Sequence, residues 1–167
     1  MWSNRWVKVA AVGLGFFVIN AISRLISLAT QPDEEPSVLG PVDDTGQTVL
    51  AVVGALLVVA LMTGAAAWWS VRHPIGRVVA DLGLATLIGT VLSLLIGPLV
   101  VGDAPFAEGL ESFVYQFLQF LGLGALGILL GFSAMTVLGK DWRSRGLAAY
   151  VDRHGKKATP APGTRRR

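Results

Sequence analysis

Four long apolar runs, separated by short polar segments, set the plan of the chain. They cover residues 7–29, 48–70, 78–101 and 113–138. Each is long enough, at about 1.5 Å per helical residue, to cross a hydrocarbon core about 30 Å thick. The pattern predicts an all-α polytopic membrane protein: a bundle of four transmembrane helices within residues 1–139. After it, residues 140–155 predict a short amphipathic helix lying on the membrane surface, with Trp142, Leu147, Tyr150 and Val151 as its apolar side. Residues 156–167, basic and punctuated by Pro160, Pro162 and Gly163, predict a disordered tail.

The flanks of the runs orient them. Of fourteen Lys and Arg residues, all but Arg24 lie before or at the very start of the first run, in the turn between the second and third, or after Gly139. The other two connections, around Asp33 to Asp44 and Asp103 to Glu111, are acidic and contain no base. Basic short loops mark the cytoplasmic face, so both termini are expected there. Trp2, Trp6, Trp68, Trp69 and Trp142 would then share the cytoplasmic interface, with Phe106, Phe113 and Tyr115 marking the opposite one. The start of the chain also has the features of a signal peptide ending at Ser27-Leu28-Ala29, although the apolar run is long for one and Arg24 interrupts its end. A compact chain of this kind is expected in a bacterial-type plasma membrane.

Composition agrees with the pattern. The chain is 53% hydrophobic and 15% charged, against about 25% charged in soluble domains, which leaves little charge to cover a watery surface. The net charge of +3 sits at the ends of apolar runs, so anionic lipid at the basic tail, rather than nucleic acid, is the expected partner. Cysteine is absent, which excludes disulfides, thiolate metal sites and cysteine nucleophiles. His73 and His154 are isolated in sequence. No metal, cofactor or catalytic constellation is expected.

Polar residues inside apolar runs need partners, since a charge at the centre of a span costs about 2.5–3.5 kcal/mol on insertion scales. Asn20, Ser23, Arg24 and Ser27 recur at helical i, i+3, i+4 and i+7 spacing and share one face. Ser112, Tyr115, Gln116 and Gln119 repeat that pattern at the same depth in the fourth run, with Glu111 just above. The two stripes are expected either to join helices or to line an outward-opening polar pocket, with Glu111 or a loop acid balancing Arg24. Asp81 sits in the first turn of the third run, where the helix dipole favours a carboxylate and Arg77 or water is at hand. It is expected in the leaflet opposite Arg24 and unpaired with it.

Small residues provide the packing surfaces. Asp81, Ala85, Gly89, Ser93 and Gly97 form an i+4 ridge on the third run, and Gly127 and Gly131 stand at GxxxG spacing on the fourth. Such ridges serve an internal bundle or a second copy equally well. The function expected from these features is that of a non-catalytic accessory subunit or scaffold, partnered by lipid and by a larger membrane complex or its own copies. The alternative is a small oligomeric transporter or channel that takes an anion or polar solute at the Arg24 cluster.

Overall fold

The computed structural model describes residues 3–29, 44–102, 104, 106 and 109–155. Its elements are α1 (Ser3–Ala29), α2 (Asp44–Ser70), α3 (Ile75–Leu95), the single turn α4 (Gly97–Val100), α5 (Gly109–Val137) and α6 (Trp142–Gly155). No strand occurs among the described residues. Helices α1, α2, α3 and α5 are long and apolar enough to cross a membrane. The tail 156–167 and most of the acidic connection after α1 lie outside the described residues.

The helices overrun the apolar runs that predict them. α1 starts at Ser3, α2 at Asp44 and α5 at Gly109. Hydrophobicity marks where lipid tails begin, whereas a helix continues into the polar layer as long as its backbone bonds are satisfied. The third run departs in the other direction. It is not one helix to Val101 but breaks at Ile96 and resumes for one turn as α4. Pro98 is the cause, because it has no N–H to return to the Leu94 carbonyl. The exit from α5 is a Schellman turn: Gly139 takes φ 62°, Gly139 N–H reaches the Thr136 carbonyl at 3.0 Å, and Lys140 N–H reaches Met135 at 3.0 Å.

The closest pairings are α1 with α3 and α2 with α5. Both are parallel. Going up α1, Arg5 meets Asp81, Gly13 meets Ala85, Phe16 meets Gly89 and Arg24 meets Gly97. The small ridge of α3 therefore faces α1, inside the bundle. A Cβ added to Gly89 would come within 2.8 Å of the Phe16 ring, so the ring is seated on bare backbone. Along α2, Met62 and Val59 meet Gly127, and Thr63 and Ala66 meet Gly131. The Thr63 hydroxyl donates to the Gly127 carbonyl at 3.2 Å. In lipid, where water expulsion no longer drives association, such close backbone approach supplies the dispersion contacts that hold helices together.

The core is built from Phe16, Val58, Met62, Ala66, Leu82 and Ile128. Phe16 and Phe120 pack edge to face with centroids 5.9 Å apart. By contrast Leu56, Leu57, Leu118 and Leu129 are exposed on the outer surface, which fits acyl chains rather than water.

Candidate functional site

Basic residues gather at the end of the bundle formed by the start of α1, the α2–α3 turn and the exit of α5. Trp68, at the end of α2, carries two cations on its ring: Lys8 Nζ at 5.1 Å and Arg72 at 4.6 Å from the centroid. Trp69 meets Trp68 edge-on at 5.1 Å, and Arg5 lies 5.7 Å from the Trp6 ring. Within this cationic rim Asp81 is buried, 2% exposed, and accepts from Arg5 through Nε at 2.9 Å and through Nη2. Its second oxygen, Oδ2, has no hydrogen bond and lies 3.9 Å from Arg77 Nε.

The partner of Asp81 is thus Arg5, not chiefly Arg77 or water as its local sequence implies. The pair spans 76 residues of sequence, beyond any local spacing rule. One signal for it was present: the distribution of bases puts Arg5 and Asp81 at the same face, both near the start of a helix.

His73, in the α2–α3 turn, has its pKa held below the ordinary imidazole value. Burial is the main cause, followed by repulsion from Arg77, with Lys8 and Arg72 adding to it; Asp81 pulls the other way. Asp141 is held below the usual carboxylate range by the Ser144 hydroxyl and by backbone N–H groups, including that of Arg143 at 3.2 Å. It occupies the N-cap position of α6, satisfying donors that the first helical turn leaves open.

The other site lies toward the opposite end. Asn20, Ser23, Arg24, Ser27 and Gln119 line one cavity of about 230 Å³, together with Phe120 and Leu123 of α5. Arg24 Nη2 donates to Gln116 Oε1 at 3.0 Å, which ties α1 to α5 across the bundle. Gln116 in turn reaches Ser112 at 3.5 Å. The Asn20 amide donates to the Phe16 carbonyl at 3.0 Å and the Ser23 hydroxyl to Ile19 at 2.9 Å, so both are bound to their own helix. Gly97 lies beside the Arg24 side chain: a Cβ there would make ordinary contact, 3.5 Å from Arg24 Nε.

Glu111 and Tyr115 are placed elsewhere. Neither lines the cavity, Tyr115 is 68% exposed, and among the described residues Arg24 has no ion-pair partner. Tyr115 stands at the edge of its stripe, about 60° around the helix from Ser112 at about 100° per residue, and turns outward. The remaining wall comes from α2, through Leu50, Ala51, Gly54 and Ala55. Sequence reasoning assigned no pocket role to these residues, because apolar and small side chains give no polar stripe to follow. Gly54 is the informative one: a Cβ there would sit 2.7 Å from Ser23 Oγ, so α2 approaches the polar stripe as closely as backbone allows.

Two buried hydroxyls between the ends, Thr90 Oγ1 and Ser93 Oγ, have no hydrogen-bond partner. Among the described residues no three His, Asp or Glu side chains are grouped as metal ligands are. Comparison of this chain with known protein families, curated proteins and solved structures finds no match.

Proposed function

We propose that this chain is a small multi-pass protein of the bacterial-type plasma membrane, with both termini in the cytoplasm, acting as a non-catalytic accessory subunit or scaffold. The observation that carries this reading is how the polar groups of the long helices are used. Arg5 holds Asp81, Arg24 holds Gln116, and Thr63 holds the Gly127 carbonyl, each joining one helix to another. Asn20, Ser23 and Thr86 bind their own helices. Polar chemistry in this bundle serves assembly, as expected of a rigid membrane body that presents surfaces. The basic rim supports a cytoplasmic placement of that end.

The experiment is affinity purification of the tagged full chain from its native membrane in mild detergent. A stoichiometric membrane partner is the expected result; a chain recovered alone, as a defined homo-oligomer, favours the second reading. That reading is a small oligomeric transporter or channel for an anion or polar solute, and the cavity beside Arg24 favours it. Under it, Arg24→Leu abolishes solute flux in proteoliposomes while the protein stays folded. Under the first reading, no flux is present to lose.

A further inference from the structure

One face of the molecule pairs a polar recess with an apolar crevice. At the basic end, the α2–α3 turn, the exit of α5 and the start of α6 enclose a cavity of about 500 Å³. Its apolar wall is Pro74, Ile75, Phe132 and Trp142; its polar wall includes His73 and Arg143. The other polar lining groups are already occupied. Ser70 and Thr136 donate to their own helices at 2.9 and 3.0 Å. Asp141 caps α6. The Arg143 guanidinium, in contrast, has no ion pair among the described residues.

Below the recess, α3 and α5 run antiparallel, and a second cavity of about 410 Å³ opens between them. Val79, Gly83 and Thr86 form one side, Ala125, Ile128 and Leu129 the other. Ile75 of the recess and Val79, Gly83 and Thr86 of the crevice lie at i, i+4, i+8 and i+11 on α3, so both cavities follow one face. From Ile75 to Thr86 the rise is about 16 Å at about 1.5 Å per residue. That matches one leaflet, half of a core about 30 Å thick. Gly83 faces the open space of the crevice: a Cβ there would meet nothing within 4 Å.

We propose that this face holds one anionic phospholipid, its phosphate at Arg143 and His73 and an acyl chain laid along Ile75, Val79 and Gly83. The inference rests on α1, α2, α3 and α5 being membrane spans. Charge complementarity selects the occupant. The one carboxylate of the recess, Asp141, is spent on the first turn of α6, while Arg143 lines the recess and Arg72 and Arg77 stand close to His73; a guanidinium offers phosphate paired donors. Trp142 lines the recess, and an indole ring is suited to the depth of lipid headgroups. A second copy's helix would fill the crevice but leave the Arg143 guanidinium without an ion-pair partner.

The test is native mass spectrometry of the full chain, released from nanodiscs of equal phosphatidylglycerol and phosphatidylcholine. One phospholipid per chain is expected, enriched in phosphatidylglycerol. Gly83→Phe should lower retention of both lipids roughly tenfold by filling the tail crevice. Arg143→Gln should leave retention but remove the anionic preference, a shift of about tenfold. Ala125→Phe serves as a second block of the crevice, and circular dichroism confirms that each variant is folded. Retention untouched by both crevice variants would mean annular lipid only and would overturn the site. So would a lipid-free dimer, or an adduct without headgroup preference. Extraction of the wild type from membranes by alkaline carbonate would overturn the spans themselves; a chain that stays in the membrane yet carries no lipid would overturn only this site.

Discussion

Asp81 illustrates how a single side chain organises one end of the bundle. Its carboxylate is removed from solvent, and Arg5 supplies the two donors that keep it there. Asp81→Asn should destabilise the protein by about 1–3 kcal/mol, below the range of a fully buried pair because the Arg5 side chain is 35% exposed. The loss should be strongly non-additive with Arg5→Ala, which a double-mutant cycle of unfolding in mixed detergent micelles would read. His73 gives a pH signature of defined sign. Its folded pKa is depressed, so the unfolded chain takes up the proton first as pH falls through the ordinary imidazole range. Stability is therefore full above about pH 6.5 and declines below it until the folded imidazole also protonates. His73→Gln should flatten that part of the stability–pH curve. The polar stripe on α1 was legible at this scale, since i, i+3, i+4 and i+7 spacing depends only on helix geometry. The partner of Asp81 was not, because it depends on which helix lies alongside.

At the scale of elements, glycines divide into those that seat a neighbour and those that face open space. Gly127 belongs to the first kind: a Cβ there would stand 2.6 Å from Met62 Cβ and 2.9 Å from the Val59 carbonyl. Gly127→Ala should force α2 and α5 apart and cost about 1–3 kcal/mol. Gly64, facing nothing within 4 Å, should accept alanine with no loss. Unfolding midpoints of the two variants in one detergent make the comparison. Length and hydropathy were enough to find the four long helices, because crossing a bilayer requires both. The break at Ile96 was written in Pro98 yet hidden by the hydrophobicity around it. The α2 wall of the Arg24 cavity stayed out of reach for another reason: Ala51 and Ala55 form a small-residue pair that suggests helix packing, and nothing in Leu50, Ala51, Gly54 and Ala55 says that the helix met there carries the polar stripe until the packing of α1 against α2 is known.

For the whole molecule, the decisive quantity is the side of the membrane on which each end lies. Absence of native cysteine makes this measurable one position at a time. Ala104→Cys, between α4 and α5, should react with an impermeant maleimide added to intact cells. Ala148→Cys, on α6, should react only after lysis. The reverse labelling would invert the proposed orientation. It would also move the Arg24 cavity to the cytoplasmic leaflet. Gathering of Lys8, Arg72 and Arg77 with Trp68 at one end follows from the same asymmetry of bases that the loops carry in sequence.

The parallel pairing of α1 with α3, and of α2 with α5, has a bearing on biosynthesis. Neither pair is a hairpin, so neither α1 nor α2 can settle against its closest companion when its immediate successor emerges from the ribosome. The chain from Ala29 to Leu95 takes several seconds to make at about 5–20 residues per second. For most of that delay Arg5 lacks Asp81, and for longer Arg24 lacks Gln116, the partners that hold them in the folded bundle. A translation arrest after α2 would thus strand a segment without the partners that Arg5 and Arg24 have in the folded bundle.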